Sequence, residues 1–289
     1  MIAAAAAFGA SVSAFAAPPA PRDIYVWSEE LAGFGGFSGL EMTDGGLGFL
    51  AVSDTGYLVH ATVSRDSARH ITKVVSKDHW RFLDNFGRPA EGFQSDAEAL
   101  RIAPDGSVIV AFEGYARVAR FNPPDMMPTP LHDWERFRNM WGNEGFESLA
   151  IEATGKEIVI LESPLARSGG YRSLVHPGGR IWNEGPSLAS DGAFKAVDAD
   201  FGPDGRLFVL ERRFSMIWGY TTRISAYRVT AAGFSAPEIL LQTLAGQFGD
   251  FEGMDIWAGP NNQTIATLIS DDNFLPFEET TIAEFTLAR

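Results

Sequence analysis

Short apolar runs alternate with turn residues along nearly the whole chain, and helical periodicity is scarce. One segment shows the plan. Ala99-Leu100-Arg101-Ile102-Ala103 reads as a short inner strand, Pro104-Asp105-Gly106 as a turn, and Ser107-Val108-Ile109-Val110-Ala111-Phe112 as a β-rich returning strand. Arg117-Val118-Ala119-Arg120-Phe121 then alternates as a half-buried third strand does. Turns at Thr43-Asp44-Gly45-Gly46, Thr154-Gly155-Lys156, Pro203-Asp204-Gly205 and Pro260-Asn261-Asn262 repeat the plan. The best helical pattern, Leu131 to Met140, is expected as a short excursion between repeats.

The repeat has a polar signature. Five openings, Phe37-Ser38-Gly39-Leu40, Ala97-Glu98-Ala99-Leu100, Phe146-Glu147-Ser148-Leu149, Val197-Asp198-Ala199-Asp200 and Phe251-Glu252-Gly253-Met254, are each followed after a turn by an acid: Asp54, Glu113, Glu162, Glu211 and Asp271. The fourth departs most, because Asp200 stands where an apolar residue is expected. Successive openings lie 60, 49, 51 and 54 residues apart. Self-similarity at that period, filled with strand patterns, predicts an all-β fold, a β-propeller of five blades, or six if one lacks the acidic opening. Asp23 to Trp27 and Thr281 to Leu287 read as strands that close the ring by sharing a blade.

Composition fits one propeller domain over 23–289. The 289 residues are 45% hydrophobic and 12% aromatic, enough for a sizeable core, and 30 Gly with 16 Pro suit many tight turns. With 37 acidic against 23 basic side chains the net charge is -14, which disfavours nucleic-acid partners and anionic membrane surfaces. No cysteine is present, so disulfides, thiolate metal sites and cysteine nucleophiles are excluded. Residues 1–22 read as a leader: an alanine-rich run too short for a membrane span, then Ala14-Phe15-Ala16 and a proline-rich stretch. That pattern predicts cleavage near Ala17 and a periplasmic or secreted protein without integral membrane insertion.

In a hairpin, the residue opening one strand lies beside the residue closing the next. Glu98 with Glu113, Glu147 with Glu162, Asp198 with Glu211, and Glu252 with Asp271 are therefore expected as neighbours around one mouth of the channel, where like charges destabilise one another. Such a ring calls for cations. Ca²⁺, which takes six to eight oxygen ligands, suits a sulfur-free rim. Alternatively Arg117, Arg167, Arg172, Lys195, Arg212, Arg213 and Arg223 supply the compensation. The most chemical stretches are Ser270-Asp271-Asp272-Asn273-Phe274, a hard-metal or substrate site, and Glu211-Arg212-Arg213-Phe214, an acid followed by two anion-gripping guanidinium groups. The five histidines show no metal-ligand spacing, and nucleophile-elbow, zincin and nucleotide-binding motifs are missing.

The first, second, third and fifth openings, together with Ser53-Asp54-Thr55-Gly56, Glu211-Arg212-Arg213-Phe214 and Ser270-Asp271-Asp272-Asn273-Phe274, resemble the phytase-like propeller family with its esterase-like activity, from about Phe37 to Leu287. Thr55 departs from the family pattern, which commonly has arginine there. The resemblance implies an exported, Ca²⁺-dependent hydrolase of phosphate or carboxylate esters with a small anionic ester as substrate. The residues assigned on this basis are Glu98, Glu147, Glu211 and Arg212 for catalysis, and Glu252, Asp271, Asp272, Asn273 and Asp54 for metal. Two other readings stay open: a lactonase of the gluconolactonase type, and a non-catalytic binding propeller whose acids only brace the blades.

Overall fold

The computed structural model describes residues 19–140, 145–162 and 169–288. Residues 1–18 of the expected leader, with its cleavage pattern at Ala14-Phe15-Ala16, and Arg167 lie outside the described residues. The chain begins with β1 (Asp23–Val26), then lays down four blades in sequence order: β2 (Phe37–Thr43), β3 (Gly48–Ser53), β4 (Tyr57–Arg65) and β5 (Ile71–Arg81); β6 (Ala97–Ile102), β7 (Val108–Phe112), β8 (Arg117–Asn122) and β9 (Asp125–Pro130); β10 (Ser148–Ile151), β11 (Glu157–Ile160), β12 (Ser173–Gly178) and β13 (Ile181–Glu184); β14 (Lys195–Phe201), β15 (Leu207–Ser215), β16 (Gly219–Tyr227) and β19 (Glu238–Gln242). A small hairpin, β17 (Val229–Thr230) with β18 (Gly233–Phe234), interrupts the fourth blade. The fifth consists of β20 (Asp250–Ala258), β21 (Thr264–Asp271), β22 (Thr281–Leu287) and, outermost, β1.

The ring is thus closed by both ends of the chain, with Asp23 opposite Glu284 and Val26 opposite Thr281. Each inner strand pairs antiparallel with the next strand across one of the expected turns, and Gly106, Gly155 and Gly205 take φ near +80° there, as a tight turn requires. The core lies between blades, where apolar residues of adjacent sheets interleave, as with Val52, Leu100, Val110 and Phe112 in one cluster and Phe208, Met254, Ile256 and Leu268 in another. The expected helix over 131–140 is instead a short 3₁₀ turn at Trp134–Arg136, because Arg136 and Met140 close i→i−3 bonds to Asp133 and Phe137 while Phe137 is held in the core.

Registers within the blades fix the site. In blades one, two, four and five the inner strand carries an irregularity near its start, at the second or third position: Ser38, Glu98, Val197 and Glu252 are each skipped between paired neighbours. Such a bulge re-aims the extra side chain and leaves it outside the ladder. In blade three the pairing begins one residue later, at Ser148 opposite Ile160, with the Ser148 hydroxyl bonded to the Ile160 carbonyl at 2.6 Å. Glu147 therefore holds the same place as the bulged residues.

The fourth repeat needs a correction of one residue. Its bulge falls on Val197, so the equivalent opening is Ala196-Val197-Asp198-Ala199, and the returning position equivalent to Asp54, Glu113, Glu162 and Asp271 is Arg212, not Glu211. Counting acids along the sequence put Asp198 in the wrong layer, since the apolar residue at the true opening position gives no signal.

Candidate functional site at the channel mouth

The upper layer of the channel consists of the bulge residues Ser38, Glu98, Glu147, Val197 and Glu252 and the returning residues Asp54, Glu113, Glu162, Arg212 and Asp271. Residues just before the openings, Asp96, Lys195 and Asp250, add to it. Lys195 was expected from the sequence as a counter-charge to the ring, whereas Asp96 and Asp250 were given no site role, although charge immediately before an opening was the signal that could have found them.

Within blade two, carboxylate oxygens of Asp96, Glu98 and Glu113 all lie within 4.8 Å of one another. Glu113, pushed up by burial, Asp96 and Glu162, lies close enough to Glu147 of blade three for its charge to push that carboxyl up as well. Burial and the neighbouring charges of Glu252 and Glu147 push the Glu98 carboxyl well above the usual range. Burial, with Glu162 and Glu113, does the same to Glu147. Asp54 is pushed up to about 7 by burial and by Asp271 and Asp96, and Asp271 to about 6 chiefly by burial. These are the marks of like charges crowded in a place that water reaches poorly.

One side of the mouth is compensated. Arg212 Nη1 lies 2.8 Å from Asp250 and also meets Glu252, and Lys195 Nζ lies 2.8 Å from Glu162. Burial still carries the Glu252 carboxyl up to about 8 against the pull of Arg212. Beside this pair opens a recess of about 630 Å³ whose walls include Phe194, Lys195, Arg213, Phe214, Tyr220 and Asn273. The opposite side differs: among the described residues, no basic side chain comes within ion-pair distance of Asp96, Glu98, Glu113 or Glu147.

Of the residues assigned from the sequence, Glu98, Glu147, Arg212, Glu252, Asp271 and Asp54 meet at this mouth. Three do not join the ring. Glu211 is fully buried and saturated: it accepts from Tyr171 Oη at 2.7 Å, from Arg223 Nε at 2.8 Å and Nη2 at 2.7 Å, and from Ser225. Asp272 is occupied in joining blade five to the loop before blade one, accepting from Gly36 N at 3.0 Å, Phe274 N at 3.1 Å and Thr280 Oγ1 at 3.2 Å. Asn273 is exposed in a left-handed turn, φ 47°, and its amide donates to Glu278 at 3.1 Å. Of the other cations, Arg223 serves Glu211 and Asp191, Arg172 pairs with Glu184, and Arg117 and Arg213 lie over Phe112 and Phe194.

A hard cation fits these donors. All are carboxylate oxygens, which Ca²⁺ prefers, and two buried atoms, Asp54 Oδ1 and Asp250 Oδ1, have no hydrogen-bond partner among the described residues.

A family model described as "Phytase-like: Esterase-like activity of phytase" matches residues 32–274. No curated protein matches the chain. Among solved structures, the PQQ-bound aldose sugar dehydrogenase of Streptomyces coelicolor is similar at 12% identity and a TM-score of 0.48, covering 94% of this chain and 100% of its own. A glucose dehydrogenase is similar at 11% identity and a TM-score of 0.49, covering 92% and 99%. A streptogramin B lyase is similar at 10% identity and a TM-score of 0.45, covering 92% and 87%. Likeness at that level carries nothing about activity.

Proposed function

This chain belongs to the phytase-like family, and from that premise we propose that it is a Ca²⁺-assisted hydrolase of phosphate or carboxylate esters acting at the channel mouth. The observation that carries the reading is the cluster of Asp96, Glu98 and Glu113, whose oxygens come within 4.8 Å of one another on the side of the mouth opposite a recess walled by Lys195 and Arg213. Asp96, Glu98 and Glu113 would hold the cation, with Asp54 and Asp271 as further oxygen donors. When bound, Ca²⁺ supplies the positive charge that lets these carboxyls ionise at neutral pH and lets an anionic ester approach an acidic rim.

The chain's own residues then have distinct tasks. Lys195 and Arg213, both exposed on the recess, grip the anionic end of the substrate. Arg212, already bound to Asp250 and Glu252, keeps that wall of the mouth fixed and its charge aimed inward. Glu147, whose carboxyl is pushed well up by burial and by Glu162 and Glu113, is assigned to accept the proton of the attacking water. Phe214 and Tyr220, rings 4.8 Å apart, shield the recess from bulk water over the leaving group.

The purely bracing reading is favoured by one observation, that Arg212 and Lys195 already neutralise part of the rim. Hydrolysis assays distinguish the two. Purified protein is offered 4-nitrophenyl phosphate, 4-nitrophenyl acetate and a sugar δ-lactone, each with Ca²⁺ and with chelator. Turnover of an ester that needs Ca²⁺ and falls on Glu147→Gln supports the proposal. Turnover of the lactone alone supports the lactonase, and no turnover of any substrate overturns the enzyme reading.

A further inference from the structure

The hairpin joining β15 to β16 is built unlike its counterparts in other blades. In blades one, two and five the ladder between the second and third strands stops before the mouth layer: Ser53 faces Tyr57 just before Asp54, Phe112 faces Arg117 just before Glu113, and Ile269 faces Ile282 short of Asp271. In blade four it runs on past Arg212, through Arg213 with Thr221, Phe214 with Tyr220 and Ser215 with Gly219. These further pairs carry the hairpin about 10 Å above the mouth. Its backbone is held there. Gly246 N donates to the Tyr220 carbonyl at 2.8 Å, and the backbones approach so closely that a Cβ on Gly246 would come within 2.6 Å of the Trp218 carbonyl oxygen.

The side chains on this support are apolar and bare. Met216 is 94% exposed, Ile217 81% and Trp218 69%, and Phe214 below them is exposed as well. Side chains so exposed add nothing to the core, and a run of large ones marks a surface built to be covered. What lies below indicates the cover. Phe214 and Tyr220, partners in the ladder, both line the recess of about 630 Å³, and so do Arg213 and Lys195. The Arg213 guanidinium lies over the Phe194 ring at 4.8 Å, and among the described residues no carboxylate stands within ion-pair distance of it. From Arg212 to Arg223 the chain holds three arginines and no acid, in a protein whose net charge is -14.

A wall that passes from two cations through two rings to a bare apolar tip matches a molecule with one charged end and one apolar end. We propose that recess and hairpin together bind an anionic ester carrying a long alkyl chain, its head on Arg213 and Lys195 and its chain lying along Phe214 and Tyr220 toward Ile217 and Trp218. This rests on the recess being the substrate site, and it names the class of substrate that site takes. A protein partner fits less well, because a three-residue tip falls far short of the roughly 800 Å² per side of a stable complex. An anionic lipid surface would have to approach the acidic rim along with the tip, against the net charge of -14. A single amphiphile meets the local positive charge of the recess without that repulsion.

Calorimetric titration of the full chain at pH 7 in saturating Ca²⁺ tests binding apart from hydrolysis. The probes are octanesulfonate, butanesulfonate and octyl glucoside, each below its micelle concentration. Octanesulfonate should bind about tenfold or more tighter than butanesulfonate, because part of the added chain leaves water, and about tenfold tighter than octyl glucoside, which lacks the charge. Ile217→Ser with Trp218→Ser should bring octanesulfonate down to the affinity of butanesulfonate, whereas Arg213→Gln should weaken both sulfonates and keep their ratio. Circular dichroism checks each fold, and if a variant fails to fold, the ranking of the three probes on the parent decides. Equal affinity for the two sulfonates overturns the proposal, as does a chain-length advantage that survives the tip substitutions; ester hydrolysis retained beside either result leaves the enzyme reading standing. The expected ranking without hydrolysis of any ester keeps the amphiphile site and defeats only the enzyme reading. Parent protein that sediments with phosphatidylcholine vesicles while both sulfonates bind alike makes the hairpin a lipid anchor and overturns the proposal.

Discussion

Two layers of charge line the same channel, and they solve the same problem in opposite ways. Three residues along each inner strand from the mouth layer, about 10 Å deeper, the equivalent positions are Glu41, Arg101, Ala150, Asp200 and Asp255. Here each acid is spoken for: Glu41 accepts from Ile102 N at 2.8 Å, Asp200 from Ile256 N at 2.8 Å and Asp255 from Met42 N at 3.1 Å, always on the next blade. Asp198, one layer up, accepts from Met254 N at 2.8 Å. Arg101 fills the axis, donating to the carbonyls of Leu40, Ala199 and Met254 and to Asp198. The deep acids are braces with a plug. At the mouth, Glu98, Glu113 and Glu147 find one another instead of donors, and that asymmetry is what the proposed cation would relieve.

The largest expected effect comes from removing the plug. Arg101→Met leaves Asp198 and Asp200 without their counter-charge in a buried site and should cost about 3–5 kcal/mol of stability. Thermal melting checks it, and a melting temperature near that of the parent would erase the distinction between the layers. Next is the mouth: Glu98→Gln should lower Ca²⁺ affinity about tenfold or more while leaving the metal-free protein as stable or more so, because it removes a like-charge contact. Calorimetric titration and melting report the two halves separately.

Acidity alone does not divide the layers, since burial also pushes Glu41 up to about 8 and Asp198 to about 7, but only the mouth acids are expected to respond to Ca²⁺. Carboxyls raised in the folded protein, Asp54 to about 7, Asp271 to about 6 and Glu252 to about 8, bind protons that the unfolded chain has already released. Without metal, their contribution to stability is therefore full below the ordinary carboxylate range near pH 4 and is lost as pH rises to about 8. The melting temperature in chelator should fall across that window, and saturating Ca²⁺ should flatten the fall by stabilising the ionised carboxyls. The smallest effect belongs to Lys195→Ala. Because Lys195 is half-exposed, its bond to Glu162 should be worth less than about 1 kcal/mol, while KM for an anionic ester should rise several-fold with little change in kcat.

Much of this was legible beforehand, for physical reasons that differ by layer. Blade number, ring closure and the mouth acids of blades two, three and five follow from a repeat whose turns and bulge residues are chemically distinctive. The fourth blade was misread by one residue because its bulge holds Val197, which looks like any core residue, and Asp198 nearby supplied a false acid. Glu211 followed the same error, and its real task needed Arg223, Ser225 and Tyr171, which only the folded sheet brings together. Arg101 was hidden inside an apolar strand. The clue was that charge recurs at Glu41, Arg101, Asp200 and Asp255, all at one position of the repeat, but a register is needed to see it.

The proposed contrast is between a mouth ring that takes a cation and a deep ring that needs none. Its most direct test is the melting temperature of the parent, Glu98→Gln and Asp198→Asn, each in excess chelator and in saturating Ca²⁺. The account predicts a clear Ca²⁺-dependent rise for the parent, a lost rise without apo destabilisation for Glu98→Gln, and for Asp198→Asn a lowered melting temperature whose Ca²⁺-dependent rise is retained. A parent that melts at the same temperature with and without Ca²⁺, together with a Glu98→Gln variant destabilised in chelator, would contradict it and make both rings braces.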